Sequence, residues 1–283
     1  MKRRISFLIC CIMLAVFLCA CESEQVKQAK TAYKDGKYSE VVELLSKEEN
    51  LSDSAQNMLA VSEANVMYEN KEYVEAVKKL ASSKDGIKAE QFEEMFNAAL
   101  TDAIANKSAD DVIELLKLDE SKSDAVYDAV TKACNDKDYN GFVVLDGMVE
   151  KLKDGDLKTK LSAFGEEHDL LRAEAFLVGT WERQDEDSET KPLVVVIPYK
   201  NNLVGRLEVV GDEQKQWHFE KDDVYWKDFE FESGERFYCY NLTRYDDGTV
   251  AGDTASCIIN YEEGTIDTNV TGTTSPHKIW KRQ

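Results

Sequence analysis

The side chains that most often carry catalysis or bind metals are few in this sequence, and they lie far apart. The three histidines are His168, His218 and His277, and no two of them share a helix face or a short spacing. Short spacings of this kind are how metal sites and histidine-based catalytic sites are most readily recognised in a sequence. No nucleophile-elbow, phosphate-loop or dinucleotide-binding motif is present either. We therefore predict a protein that is not an enzyme and holds no metal or cofactor.

One stretch comes close to a calcium site. The run Asp136-x-Asp138-x-Asn140-Gly141 places oxygen ligands at alternate positions with glycine at the bend, as in the first half of a calcium loop. The twelfth position, where such a loop needs a bidentate glutamate, is Gly147. We therefore expect a plain turn between two helices here.

The first 21 residues carry the strongest local pattern. Three basic residues, Lys2-Arg3-Arg4, precede an uncharged, mostly apolar run from Ile5 to Ala20, and Leu18-Cys19-Ala20-Cys21 ends it. This layout resembles a bacterial lipoprotein signal peptide. The resemblance implies that Cys21 receives a diacylglycerol and becomes the new N-terminus, so that the protein is lipid-anchored to a bacterial membrane and faces outside the cytoplasm.

Two alternatives remain for this segment, an ordinary cleaved secretory signal and a retained membrane anchor. The apolar run has 16 residues, whereas a helix needs roughly 20 to span a bilayer. Cys19 is less usual than alanine or serine at its place in the motif.

Charge and length limit the partners and the domain count. The chain has 35 basic and 55 acidic residues, and removing residues 1–21 takes away three basic residues and no acidic ones, so the net charge falls from −20 to −23. Such a chain repels nucleic acid and anionic headgroups, so nucleic acid is excluded as a partner. The remaining 262 residues suit two domains better than one.

Composition changes near residue 176. No proline occurs between Glu22 and Phe176, whereas all three prolines and all four tryptophans follow Leu177. Because proline and glycine are costly inside helices and mark strand ends and turns, the first half is predicted to be helical and the second all-β. The predicted organisation is a signal peptide at 1–21, a helical-repeat domain at 22–176 and an all-β domain at 177–283.

The helical half contains an internal repeat. The pattern Ala29-x-x-x-Tyr33-x-x-Gly36-x-Tyr38 recurs 35 residues later as Ala64-x-x-x-Tyr68-x-x-Lys71-x-Tyr73, and weaker copies follow at offsets of 36 and about 30. A period near 34 resembles tetratricopeptide repeats. The resemblance implies paired helices that stack and bind peptides or proteins. The turn glycine occurs only in the first copy, which weakens this resemblance. An unrelated helical bundle therefore remains as the alternative.

The second half shows short strands separated by turn residues. Leu193–Ile197, Leu203–Val210, Phe237–Tyr245 and Ala255–Tyr261 are rich in β-branched and aromatic residues, and about eight or nine such segments fit after Leu177. This spacing predicts an antiparallel meander that closes as a β-barrel or packs as a sandwich.

The ends of this half carry a second resemblance. Val178-Gly179-Thr180-Trp181 opens it and Ile279-Trp280-Lys281-Arg282 closes it, which resembles the Gly-x-Trp opening of lipocalin-like barrels. The resemblance implies that Trp181 plugs the barrel floor, that Lys281 or Arg282 covers it, and that the interior could hold a small apolar ligand. The alternative is a barrel filled by its own side chains.

A hairpin brings two cysteines into register. Asp246-Asp247-Gly248 is a turn by its residue types, and Cys239 and Cys257 are equally distant from Gly248. We therefore predict that the two lie opposite each other or one step apart and form a disulfide, which an extracytoplasmic location permits. A one-residue slip would put them on opposite faces. Cys134, near a helix end, is expected to stay a free thiol.

Together these features predict an interaction protein. The expected function is a membrane-tethered lipoprotein whose helical repeats dock an envelope protein or peptide, with the β domain as a second module. The alternative is a lipoprotein that captures a small apolar ligand in its barrel.

Overall fold

A computed structural model describes residues 23–83, 89–184, 189–270 and 277–283. Cys21 and the rest of the predicted signal peptide lie outside these ranges. In the described part of the N-terminal half the helices are α1 (Glu24–Lys34), α2 (Tyr38–Leu45), α3 (Asp53–Glu69), α4 (Tyr73–Ala81), α5 (Ala89–Ala105), α6 (Ala109–Leu118), α7 (Ser123–Asn135), α8 (Tyr139–Lys151), α9 (Asp156–Glu167) and α10 (Asp169–Leu177).

The chain divides into two compact units. One runs through Ala103 and includes Asp110–Lys122, and the other comprises Ile104–Ala109 with Ser123–Gln283. The second unit therefore contains helices α7 to α10 as well as the β-strands. The domain boundary between 176 and 177 stays a prediction, and the compact units divide at a different place.

One turn geometry recurs along the helical half. The second residue after the first helix of each pair has a left-handed backbone, with φ between 59° and 71°; these residues are Gly36, Lys71, Lys107 and Lys137. In each case its N–H donates a hydrogen bond to the carbonyl three residues earlier. These positions are separated by 35, 36 and 30 residues, which are the offsets of the sequence repeat. Lysine thus occupies three of the four places that glycine suits best.

The first two helix pairs also share their packing. Tyr33 meets Tyr38 edge to face at 5.9 Å, and 35 residues later Tyr68 meets Tyr73 in the same way at 5.3 Å. Such pairs add stability beyond the area that they bury.

The stretch that resembles a calcium loop forms a turn between α7 and α8, as expected. The Asp138 side chain accepts a hydrogen bond from the N–H of Asn140 at 3.0 Å and so caps α8. A Cβ on Gly141 would come within 2.8 Å of the Ala133 side chain. Glycine is therefore required because the two helices approach closely there.

The C-terminal half is a closed antiparallel barrel in which each strand pairs with the next and the first pairs with the last. This confirms the predicted helical-then-β fold class and selects the barrel over the sandwich. A short helix, α11 (Asp212–Gln216), connects the third and fourth strands. The strands are β1 (Gly179–Arg183), β2 (Leu193–Tyr199), β3 (Asn202–Val209), β4 (Val224–Phe231), β5 (Arg236–Arg244), β6 (Val250–Asn260), β7 (Thr265–Val270) and β8 (His277–Arg282).

Aromatic side chains fill the barrel. Trp181, Trp226 and Trp280 are all buried in its core, and the last two meet edge to face at 4.6 Å. An eight-stranded barrel is just wide enough for side chains to fill it. Side chains therefore fill the core around the tryptophans. This agrees with the alternative of a barrel filled by its own side chains.

The left-handed turn yields a stability prediction. Adopting this backbone costs a residue with a Cβ about 1–2 kcal/mol. Glycine avoids that cost, but it raises the entropy of the unfolded chain and so lowers stability by about 0.4–1 kcal/mol. Lys71→Gly should therefore stabilise the protein by roughly 0.5–1 kcal/mol in denaturant unfolding followed by far-UV circular dichroism.

Lys71→Ala is the matched control for this turn. Alanine removes the same side chain but keeps the Cβ, so it should give no gain. Equal effects of glycine and alanine would show that the left-handed backbone at position 71 carries no strain.

Candidate functional site

The barrel floor is built where α10 runs into β1. Trp181 is fully buried, and its indole N–H donates a hydrogen bond of 2.8 Å to the carbonyl of Leu177, the last residue of α10. The Phe176 ring meets the Trp181 ring edge to face at 5.2 Å. Trp181 therefore lies at the floor and is anchored by the end of the helix.

Arg282 covers this floor from the outside. Its guanidinium donates hydrogen bonds to the carbonyls of Phe176 at 2.8 Å and Val178 at 3.0 Å, and it lies 5.0 Å from the centre of the Tyr139 ring. Burial lowers its pKa, although arginine stays charged. Lys281, the other residue suggested for this place, is exposed, and Phe176 lies between Arg282 and Trp181.

Two strand connections bond to the helices beside the floor. The Asp169 carboxylate, at the start of α10, accepts a hydrogen bond from the N–H of Gly234 at 3.0 Å. Tyr261, just after β6, stacks on Tyr139 and donates its hydroxyl to the Gly234 carbonyl. Burial raises the pKa of Tyr261, so the hydroxyl keeps its proton. These contacts make the floor a structural junction between the strand connections and the helices.

Cys239 and Cys257 lie inside the barrel. Their sulfur atoms are 3.9 Å apart and both are free thiols. Cys239 pairs with Ala255 and Cys257 with Phe237, so the hairpin is centred one residue earlier than its turn residues suggest and the cysteines are diagonal neighbours. The disulfide stays a prediction.

Burial also governs the chemistry of the thiols. It raises the pKa of Cys257 well above its usual value, and that of Cys134, buried in α7, to about 12. Because the thiolate is the reactive form, both thiols are unreactive in the folded protein at neutral pH.

The opposite ends of the strands form the barrel mouth, where α11 crosses one side. A cavity of about 170 Å³ opens there. Its apolar wall comprises Trp217, Phe219, Tyr225, Leu242 and Val270, and its polar wall includes Glu213, Gln214, Asn241, Thr243, Asp253 and Lys278.

Three charged side chains meet at this mouth. Arg183, at the end of β1, donates a hydrogen bond to Glu213 on α11, and the Lys278 ammonium on β8 lies 3.6 Å from the other carboxylate oxygen of Glu213. Arg183 and Lys278 are only 5% and 8% exposed. Burial works to raise the pKa of Glu213, but Lys278 and Arg183 outweigh it and hold the pKa below its usual value.

Sequence reasoning missed this group. The available signal was the alternation along β8, where Lys278 occupies an inward position with Trp280 while His277, Ile279 and Lys281 are exposed. An inward lysine in a strand breaks the usual pattern.

The three histidines lie apart from one another, and each contacts a different side chain. His218 and His277 are exposed and lie beside the carboxylates of Asp246 at 2.7 Å and Asp267 at 3.3 Å. His168 stacks on the Phe164 ring at 4.0 Å. Among the residues that the structure describes, no group of three or more histidine, cysteine or acidic side chains could hold a metal ion. Within the same ranges, no helix is both long and apolar enough to cross a membrane.

No protein-family model, curated protein or solved structure matches the chain.

The floor yields a second stability prediction. Arg282→Met removes two charge-assisted hydrogen bonds from buried carbonyls, so it should lower the free energy of unfolding by about 2–4 kcal/mol. The measurement is denaturant unfolding followed by tryptophan fluorescence.

Lys281→Met is the matched control for Arg282. It removes a neighbouring charge from the exposed side of the same strand and should change stability by less than about 0.5 kcal/mol. A loss at Lys281 as large as that at Arg282 would contradict the assignment of Arg282 as the floor cover.

Proposed function

We propose that this protein is a membrane-tethered bacterial lipoprotein that docks a protein or peptide of the cell envelope on its helical repeats. The lipobox pattern that ends at Cys21 supports the tether and its extracytoplasmic side. The helices act as tetratricopeptide-like repeats, and the lipocalin-like barrel is a second module.

The observation that carries this proposal is the recurrence of one helix–turn–helix geometry along the chain. A helix pair of this size cannot bury its apolar face alone, so neighbouring pairs stack. The first helices of consecutive pairs lie side by side, because α1 contacts α3 and Gln91 of α5 donates a hydrogen bond of 3.1 Å to Asn65 of α3. Repeat proteins use such rows of helices as binding surfaces.

The chemistry of this row indicates the partner. Glu69 and Glu94 are exposed and lie one helical turn from Asn65 and Gln91 on their own helices. Residues 22–122 hold 22 acidic residues and 13 lysines, a net charge of −9. Electrostatic complementarity therefore favours a partner with a basic or neutral docking segment.

The alternative, capture of a small apolar ligand deep inside the barrel, has weaker support. Trp181, Trp226 and Trp280 occupy the space that such a ligand would need.

Charge reversal on the row of first helices tests the docking surface. The double variant Glu69→Lys/Glu94→Lys should reduce the amount of partner cross-linked in intact cells by about tenfold, because two attractive contacts become repulsive. The double variant Glu40→Lys/Glu72→Lys makes the same charge change at two exposed positions of the second helices, one within α2 and one at the N-cap of α4, and should leave capture unchanged.

Equal losses from both double variants would contradict docking on the first helices. A Cys21→Ala variant tests the tether in the same cells, since the protein should leave its membrane-bound mature form for unprocessed or released forms. If Cys21→Ala stays membrane-bound at wild-type size, the lipoprotein assignment is wrong.

A further inference from the structure

A single residue separates the cysteine of the lipobox pattern from the first helix. The pattern ends at Cys21, and Ser23 is already the N-cap of α1. Two residues of fully extended chain reach about 7 Å at most. With a lipid on Cys21, which is part of the proposed function and on which this inference rests, the start of α1 is held close to the bilayer surface.

The start of α1 is part of the folded core and supplies no further length of linker. The Ser23 hydroxyl accepts a hydrogen bond from the N–H of Val26 and donates one to the Glu48 carboxylate, both at 3.2 Å. Val26 and Ala29 are buried in the same core cluster as Leu45. Unwinding the first turn would break the cap and expose Val26 to water, so the helical fold is maintained up to Ser23.

The hydrogen bond between Ser23 and Glu48 identifies the edge of the helical repeats that lies nearest the anchor. Because α2 runs back beside α1, the connection from α2 to α3 at residues 46–52 returns to the start of α1. We call Ser23 and residues 46–52 the tether edge. The turns at 35–37 and 70–72, where α1 and α3 end, form the far edge. Helix α3 has 17 residues, so the two edges are about 25 Å apart along it.

The charge of the tether edge gives it no affinity for lipid headgroups. Residues 23–27 and 46–53 carry four acidic and two basic side chains, a net charge of −2. Anionic headgroups repel such a surface, and zwitterionic headgroups offer it no net attraction. Contact between this edge and the bilayer is therefore imposed by the short tether.

We infer that the tether edge faces the headgroups of the bilayer that holds the lipid anchor, and that the far edge points away from it. The row of first helices then rises from the membrane surface, because α1 and α3 both begin at the tether edge. A partner that docks on α1 and α3 presents its segment within roughly 25 Å of the bilayer. This geometry favours a partner that is itself anchored in the same membrane.

Quenching of site-specific fluorophores by labelled headgroups tests this orientation. Asn50 on the tether edge and Asn70 on the far edge are both exposed, so Asn50→Cys and Asn70→Cys variants carry the same thiol-reactive fluorophore at matched sites. The thiols at 134, 239 and 257 are buried and react poorly in the folded protein.

The full-length, lipid-modified protein is reconstituted in phosphatidylcholine vesicles that contain some nitroxide-labelled headgroups. Quenching by a nitroxide requires close approach, and the two labels differ in height by about 25 Å. The label at position 50 should therefore be quenched at least about twofold more strongly than the label at position 70.

A longer tether is the matched control. An insertion of about ten glycine and serine residues between Glu22 and Ser23 adds roughly 17 Å of flexible chain. The protein should stay bound to the vesicles, while quenching at position 50 falls to the level at position 70.

Equal quenching at positions 50 and 70 in vesicle-bound protein of native length would overturn the inferred orientation and leave the lipid tether intact. Strong quenching at position 50 that persists after the insertion would also overturn the inference, because the edge would then bind lipid by itself. Protein that does not associate with the vesicles at all would contradict the lipidation of Cys21, and the proposed tether would then fall as well.

Discussion

The pairing of β1 with β8 is the contact on which the barrel depends. Its register sets Trp181 opposite Arg282 and Arg183 opposite Trp280. Because the two strands are antiparallel, this one pairing determines both ends of the barrel. At the floor it lets Arg282 reach the end of α10, and at the mouth it places Arg183 near Lys278 and Glu213 on α11.

The two ends use buried charge for different purposes. At the floor, Arg282 satisfies carbonyls at a helix end that would otherwise lack partners. At the mouth, Arg183, Glu213 and Lys278 come together and lose part of their solvation. Such a group contributes little stability, because apolar side chains of the same size would be at least as favourable.

The sequence was sufficient for the order of helices and strands, because proline, glycine and tryptophan change abruptly near residue 176. It also located the repeat, although lysine at 71, 107 and 137 hides the turn that Gly36 makes visible. The sequence did not predict the contacts between residues that are far apart along the chain. Arg183 and Lys278 are separated by 94 intervening residues, and no local pattern brings them together. The hydrogen bond between Asp169 and Gly234, which connects α10 to the strands, also has no signal in the sequence. The same holds for the one-residue shift in the centre of the cysteine hairpin.

Amide hydrogen exchange tests barrel closure most directly. The β1–β8 ladder closes the barrel, and the hydrogen bonds from Gln283 to Thr180 and from Gln184 to Ile279 extend this ladder at its two ends. If β1 and β8 close the barrel, the bonded amides of these two strands should exchange with free energies close to those of β5 and β6, in one cooperative opening. Exchange of the β1 and β8 amides that is faster by several orders of magnitude, with β5 and β6 still protected, would show an open sheet and contradict the account.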